Sequence, residues 1–387
     1  MADNFAVFTK YQDKYVLMHI ENNRAEHIYA YDRPGQISVG SIINCRTERP
    51  MDNIDACFVQ YSPDSLGFIN KKIKGQTVLP LMLKKEAYDD KKAAFTDKLS
   101  IAGRYAVVSE GSFVKLSHNI PQSKKEEISQ RFQKISKQYG KGIIIRTKAF
   151  TEDGGLDKAE SECIKIIELL EGIVQKSSHV PQYHVLYRPP APYIEDLLYL
   201  IDCGISEIIT DSDEIKEALT KDHEYISGTV NMTDRVGIRM YEDPLVGLCN
   251  LYGISAKISE ALSKKVYLKS GAYITIEKCE AFTAVDVNSA GLDAKADREE
   301  SFLNVNIEAA EEIARQLVLR NISGMIIIDF INMKDDLSYI KLADAVRSAI
   351  KSDRANTKFI DFTHLKLCEI TRSRSSRSLY QCLRGCI

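Results

Sequence analysis

The sequence predicts a multidomain α/β protein, α+β in overall arrangement, and three observations carry that expectation. Two apolar, β-rich runs each end in an aspartate: Ala281-Phe282-Thr283-Ala284-Val285-Asp286, continuing to Val287-Asn288-Ser289, and Met325-Ile326-Ile327-Ile328-Asp329. Such runs read as buried strands, and the spacing between them fits strand, long helix, next strand. Residues 36–100 hold short strand candidates at 38–47, 54–61, 66–70 and 76–83, separated by turn residues, which is the pattern of a small all-β barrel of the OB type. Finally, 387 residues exceed the size at which one core stops growing, about 250–300 residues.

The remaining elements follow in chain order. Residues 1–35 alternate through Tyr15–Ile20, turn at the polar Glu21–Arg24, and resume at Ile28–Tyr31, a hairpin signal that exits at Arg33-Pro34-Gly35. A lone hairpin is too small to stand by itself and must join a larger sheet. In 101–198, Ile101–Val108 and Gly142–Arg146 read as strands. Helices are expected at 123–139 and 155–176, the second with Ile164, Ile167, Leu169, Leu170 and Ile173 on its apolar face. Arg188-Pro189-Pro190-Ala191-Pro192 marks a boundary. A helix near 195–201, a strand at Ile205–Thr210 and a helix near 212–219 then resume the α/β alternation. From 264 onward, strands at 272–277, 281–287, 325–329 and 358–362 enclose helices near 302–319 and 336–351. The first of these helices carries Leu303, Ile307, Ala310, Ala314 and Leu317 on one stripe.

Composition narrows the function classes. Hydrophobic content of 44%, charged content of 27% and a net charge of −2 are those of an ordinary globular chain, so nucleic-acid binding would have to come from local patches. One such patch is residues 351–387, with eight basic and three acidic side chains. The nine cysteines are scattered and odd in number, without the spacing of a disulfide framework, which points to a reducing compartment. No apolar signal core opens the chain and no membrane-spanning run is present, so the expected location is the cytoplasm.

Three groups of residues carry chemistry. Asp286 and Asp329 end their strands where open α/β sheets gather ligands, and with the Asn288 amide they could hold a hard divalent cation such as Mg²⁺. Taken singly, each aspartate reads equally as a turn or helix-cap residue. On the barrel candidate, Phe58 and Phe68 sit on different strands, with Lys84, Lys85, Lys91 and Lys92 downstream. Aromatics and lysines on a small barrel suit single-stranded nucleic acid, and the competing reading makes both phenylalanines core residues. Arg146 at a strand end has the planar fork that binds a phosphate bidentately, and Thr147 adds a hydroxyl. The bland reading pairs Arg146 with a surface acid.

Glu280-Ala281-Phe282-Thr283-Ala284-Val285-Asp286-Val287-Asn288-Ser289 resembles the block E-A-[LF]-T-A-[IV]-D-[IV]-N-S of the ribonuclease E/G endoribonucleases. Asn306-Ile307-Glu308-Ala309-Ala310, Ile313-Ala314-Arg315-Gln316-Leu317, Gly324–Ile331 and Glu369-Ile370-Thr371-Arg372 continue the likeness in order. Ala56–Tyr61 with Gly67-Phe68-Ile69 resembles the family's RNA-binding barrel, and Lys91–Thr96 with Ser100–Tyr105 its exit. Gly142–Thr147 resembles its 5′-monophosphate pocket. The resemblance implies a ribonuclease-H-like subdomain from 1–35 plus 199–263, an OB-fold barrel over 36–100, a 5′-sensor region over 101–198 and a DNase-I-like catalytic subdomain over 264–387. It further implies that Asp286 and Asp329 hold Mg²⁺, that Asn288 orients the scissile phosphate or the attacking water, and that Arg146 and Thr147 bind a 5′-phosphate. Phe58, Phe68 and Lys91 would grip single-stranded RNA.

The implied activity is Mg²⁺-dependent cleavage of single-stranded RNA to 5′-phosphate and 3′-hydroxyl ends, in rRNA or tRNA processing or mRNA decay. The alternatives are a non-cleaving RNA-binding member of the same family and a phosphoesterase acting on small nucleotides. The chain departs from the family at its end. Where relatives carry C-P-x-C-x-G, a cysteine pair sharing one zinc between two subunits, this sequence has Cys382 and Cys386 spaced C-x₃-C without the proline. Two thiolates are half of a tetrahedral zinc site, so they would need a second chain, a homodimer. The other reading is two incidental thiols.

Overall fold

The computed structural model describes residues 4–32, 37–50, 55–73, 75–87, 91–117, 120–220, 223–225, 228–230, 232–289, 298–373 and 377–384. The chain divides into two compact units. One comprises Met1–Arg33, Asp196–Leu219 and Arg235–Ile387, and the other Pro34–Glu195 and Thr220–Asp234.

The first unit holds two sheets. A five-stranded sheet runs in the order Gly237–Met240, Glu207–Thr210, Asn4–Tyr11, Lys14–Glu21, Arg24–Tyr31. The expected hairpin is therefore two arms of a three-stranded meander, whose first strand pairs in parallel with Glu207–Thr210. Asn22 and Asn23 turn the second hairpin with φ of 48° and 62°, the left-handed pair that a tight two-residue turn requires. The second sheet has six strands, in the order Lys265–Tyr267, Tyr273–Lys278, Phe282–Asn288, Gly324–Asp329, Cys368–Arg372, Thr357–Phe362. Only Phe282–Asn288 and Gly324–Asp329 pair in parallel, joined by the crossover that carries helix Arg298–Leu319. Two of the six strands go beyond the sequence expectation. Lys265–Tyr267 is too short to show a period, and Cys368–Arg372 lies within the Glu369–Arg372 motif.

Alternation along the four central strands of this sheet is strict. Ile274, Ile276, Val285, Val287, Ile326, Ile328, Cys368 and Ile370 are buried in one cluster with Leu303, Ala310, Ile313 and Leu317 of helix Arg298–Leu319 and Leu342 and Val346 of helix Asp336–Ile350. That first helix buries more than the expected stripe. Val305, Asn306, Ala309, Glu312 and Gln316 are also enclosed, and Ile307 only half so. Val305 and Ala309 belong to the same sheet core, and Asn306 is tied to the Ile331 backbone, whereas the Glu312 side of the helix meets the meander: Arg24 Nη2 donates to Glu312 Oε2 at 2.6 Å, and Arg315 Nη1 donates to the Ala25 carbonyl at 2.7 Å.

The second unit holds a closed barrel. Ile42–Pro50 pairs with both Cys57–Ser62 and Val78–Lys85, and the ring is completed through Ser65–Ile69 and Ala93–Thr96. Ile43, Cys45, Cys57, Val59, Leu81, Leu83 and Phe95 fill it. Beside the barrel in sequence, a four-stranded sheet runs Val114–Leu116, Lys141–Ile145, Ala106–Glu110, Ser100–Ala102, and helices Gln122–Tyr139 and Gly155–Ser177 pack on it. The apolar face of the second helix is rotated from the expected one. Ile164 is exposed and Leu169 half-buried, while Ala159, Glu162, Cys163 and Ile166 face inward. The charged slot in that face has a purpose, because Glu162 accepts the amides of Arg104, Tyr105 and Ala106 at 2.8, 2.7 and 2.9 Å. Three charge-assisted bonds are what allow a fully buried carboxylate.

Two predictions follow from these cores. A Cβ on Gly103 would lie 2.2 Å from the Glu162 carboxyl carbon. Gly103→Ala should therefore cost about 1–3 kcal/mol of second-unit stability, read as a lowered thermal midpoint. In the meander, Tyr199 OH, His27, His19 and Asn4 form a chain with contacts of 3.5, 3.1 and 2.7 Å. The His19–His27 contact joins two Nδ1 atoms, so it cannot survive protonation of both rings; with both neutral, His19 Nε2–H donates to Asn4 Oδ1, His27 Nδ1–H donates to His19 Nδ1 and Tyr199 OH donates to His27 Nε2. Burial pushes His27 down to about 3 and lowers His19 as well. The unfolded chain takes up these protons near pH 6.5, so the stabilisation is complete above that pH and is lost as pH falls toward 3. Denaturant midpoints should begin to fall below pH 6.5, before carboxylates titrate, and His27→Phe should flatten the slope between pH 6.5 and 5.

Candidate active site

The parallel pairing of Phe282–Asn288 with Gly324–Asp329 sets Asp286 directly opposite Asp329. Because alternate side chains leave opposite faces of a sheet, the buried valines at 285 and 287 and the isoleucines at 326 and 328 force both aspartates onto the face away from the helices. Both are exposed. Adjacent strands lie about 4.8 Å apart, so the two carboxylates stand side by side. Asn288, two positions on and half-buried, shares that face, and its Nδ2 donates to Asp286 Oδ2 at 2.5 Å.

The donor set fits a hard cation. It is all oxygen, it projects from two neighbouring strand ends, and one carboxylate is already oriented by an amide. Among the described residues no group of three or more His, Cys, Asp or Glu side chains is arranged to hold a metal. A pair of carboxylates suits Mg²⁺, which commonly takes one or two carboxylates and keeps several waters.

The same open face carries residues that the sequence reading did not select. Tyr273 pairs with Asn288 and Thr275 with Asp286, and on the next strand Tyr267 pairs with Tyr273 and Lys265 with Thr275. Their signal in the sequence was two short alternations, Lys265-Val266-Tyr267 and Tyr273-Ile274-Thr275, too brief to read without knowing the partner strands.

In the second unit, Phe58 and Phe68 face each other across Cys57–Ser62 and Ser65–Ile69. Neither is in the core. Both are half-buried on the outer side of the barrel, while Cys57, Val59 and Ile69 point in, which removes the core reading. Lys91 is exposed just ahead of Ala93–Thr96, the strand whose Ala94 pairs with Phe68. Arg146 follows strand Lys141–Ile145. Its Nη1 donates to the Gly103 carbonyl at 2.6 Å, and its Nη2 lies 3.3 Å from Glu195 Oε2. The acid pairing expected of a bland arginine is thus present, but the guanidinium stays part-exposed. Thr147 Oγ1 lies 2.8 Å from Ser117 Oγ. Close by, burial pushes the Glu152 carboxyl up, but hydrogen bonds from Lys158 and Tyr105 and the Arg104 charge outweigh it and hold the group down at about 2.

Part of the basic C-terminal patch is paired within its own unit. Arg354 pairs with Asp196, Arg372 is buried against Asp353 at 2.7 Å, and Lys366 meets Asp336 at 3.2 Å. Cys382 is half-exposed on helix Leu379–Leu383, whose Leu379 and Leu383 are buried, and Cys386 lies outside the described residues. Among the described residues no helix is long and apolar enough to cross a membrane.

Comparison with known proteins gives this arrangement its class. The chain belongs to the Ribonuclease E/G family, whose model matches residues 100–375. It is 32% identical over 329 residues to a ribonuclease E of Synechocystis sp., covering 81% of this chain and 46% of that protein. It is 28% identical over 368 residues to ribonuclease E of Nostoc sp., covering 90% of this chain and 53% of the relative. With ribonuclease G of Escherichia coli the identity is 28% over 369 residues, 88% of this chain and 74% of that protein. The chain thus spans about half of these ribonuclease E sequences.

Proposed function

We propose that the protein is an Mg²⁺-dependent endoribonuclease that cuts single-stranded RNA and leaves 5′-phosphate and 3′-hydroxyl ends. The observation that carries this reading is the in-register pair Asp286 and Asp329 on one open sheet face, in a chain of the Ribonuclease E/G family. In this reading the 264–387 region is the DNase-I-like catalytic subdomain. Residues 1–35 with 199–263 form the ribonuclease-H-like one, 36–100 the RNA-binding barrel and 101–198 the 5′-sensor. The cellular role would be rRNA or tRNA processing or mRNA decay, in the cytoplasm.

Asp286 and Asp329 would hold Mg²⁺, which when bound polarises a phosphoryl oxygen and lowers the pKa of a water. The two carboxylates supply the negative charge that fixes the cation at the strand ends. Asn288 keeps Asp286 in one rotamer and offers its remaining amide capacity to a phosphate oxygen or to the attacking water. Phe58 and Phe68 would stack bases, and Lys91 would contact a phosphate. Arg146 would exchange its Glu195 partner for a 5′-monophosphate, with Thr147 adding a hydroxyl donor. Cys382 and Cys386 would contribute two thiolates to a zinc shared with a second copy, and no catalytic step is assigned to them.

Asp286→Ala and Asp329→Ala should each lower cleavage of a 5′-monophosphorylated single-stranded RNA by at least about 10²-fold, with RNA affinity retained within a few fold. Gel analysis of product ends and a filter-binding isotherm check this, and an alanine variant that cuts at near wild-type rate in Mg²⁺ overturns it. Wild-type protein that binds RNA without cutting in Mg²⁺ would favour the non-cleaving alternative. Arg146→Ala should remove most of a roughly ten-fold preference for 5′-monophosphate over 5′-hydroxyl RNA, leaving the 5′-hydroxyl rate unchanged. Equal wild-type rates on both substrates would refute the sensor role.

A further inference from the structure

We propose that Tyr267 and Tyr273, with Lys265 above them, form a nucleobase-stacking subsite beside the candidate catalytic pair, where one base of the bound RNA strand sits. The inference rests on the nuclease reading for its substrate and on the sheet's register for its position.

The six-stranded sheet lines up two rows of side chains on its open face. One row is Tyr267, Tyr273, Asn288, and the next is Lys265, Thr275, Asp286, Asp329. With strands about 4.8 Å apart, Tyr273 stands one strand from Asn288 and Tyr267 two strands away, at about 10 Å. An RNA strand whose scissile phosphate rests at Asp286 and Asn288 reaches that platform with an adjoining nucleotide.

The platform has the composition that single-strand binding needs. The two rings lie 6.1 Å apart between centroids and are tilted by 57°, so they form an open V rather than a closed stack. Tyr267 is 69% exposed, unusually bare for a large aromatic beside a functional site. Lys265 Nζ lies 3.5 Å from the Tyr273 centroid and 4.8 Å from that of Tyr267. Among the described residues Lys265 forms no ion pair with a carboxylate, whereas its neighbour Lys264 pairs with Glu277. The ammonium therefore rests on π faces rather than on a carboxylate; an incoming base takes that place on the rings, and the flexible lysine moves to the adjoining phosphate.

A cross-strand tyrosine pair with a lysine over it also stabilises an edge strand. That role accounts for the ring contact, but not for a cation with no counter-ion among the described residues on the face proposed to take a polyanion. A second copy of this chain could cover the same face, but an ammonium with no carboxylate partner among the described residues, on the same open face as the carboxylate pair, fits a phosphodiester strand better.

The test uses the full chain and a single-stranded RNA oligonucleotide carrying 2-aminopurine at successive positions around the cut. In wild type, one position should show fluorescence quenching on binding without added metal. Tyr267→Ala and Tyr273→Ala should remove that quenching and raise KM about ten-fold with kcat within about two-fold, while Tyr267→Phe and Tyr273→Phe behave as wild type. Lys265→Ala should weaken binding and reduce the salt dependence of log K by about one. Thermal midpoints unchanged by the alanine substitutions exclude misfolding. If a midpoint falls, the quenching of the folded phenylalanine variants still decides. Alanine variants that bind, quench and cut as wild type overturn the proposal. So does a change of oligomeric state with RNA affinity unchanged, which would assign the face to a second copy. If wild type cuts no RNA yet quenches at one position and loses this in the alanine variants, the nuclease reading fails and the subsite stands.

Discussion

The parallel register between Phe282–Asn288 and Gly324–Asp329 is the constraint on which the candidate site depends. A slip of one residue would turn Asp329 toward the helices and bring Ile328 to the open face, because side chains alternate with a period of two. Burial holds the register. Val285, Val287, Ile326 and Ile328 all lie in the core beneath helices Arg298–Leu319 and Asp336–Ile350, and a slip would expose one strand's apolar set. The geometry of two carboxylates is thus set by four aliphatic side chains that never meet a ligand.

Helix Arg298–Leu319 transmits that order to the rest of its unit. One side packs on the six-stranded sheet, and the other meets the meander through Glu312, Arg315 and the Arg24 guanidinium. A helix with one partner shows a single apolar stripe. This one has two partners, so buried polar residues interrupt the stripe, and several of them bond to one another, as Gln316 Nε2 to Glu312 Oε1 at 2.7 Å and Arg320 Nε to Gln316 Oε1 at 2.6 Å illustrate. In the second unit Glu162 has a comparable part. By collecting three successive amides it fixes the backbone of Arg104–Ala106, and the Gly103 carbonyl just before it receives Arg146. The candidate sensor arginine therefore leans on a carboxylate that the helical pattern alone assigns to solvent.

Charge shows how counting differs from geometry. Residues 351–387 are strongly basic in sequence, yet Arg354, Lys366 and Arg372 each face a carboxylate of the same unit. Lys265, outside that C-terminal patch, has its charge resting on two aromatic rings of the open sheet face. Whether a cation is spent or available depends on what the fold brings to it.

The sequence by itself determined the class of the chain, the small barrel, the long helices and the two strands that carry Asp286 and Asp329. These are features of local period and composition, and the motif around Asp286 and Asn288 is contiguous in the chain. Only the tertiary structure decided which face each residue occupies when its partner is distant. It put Phe58 and Phe68 outside the barrel, turned Ile164 to solvent in favour of Glu162, and added the strands Lys265–Tyr267 and Cys368–Arg372. A three-residue strand has no period to read, and its side chains acquire a direction only when a neighbouring strand hydrogen-bonds to it. The rows that join Asp286 to Asp329 and Asn288 to Tyr273 are therefore properties of register across the sheet, which no stretch of the chain contains alone.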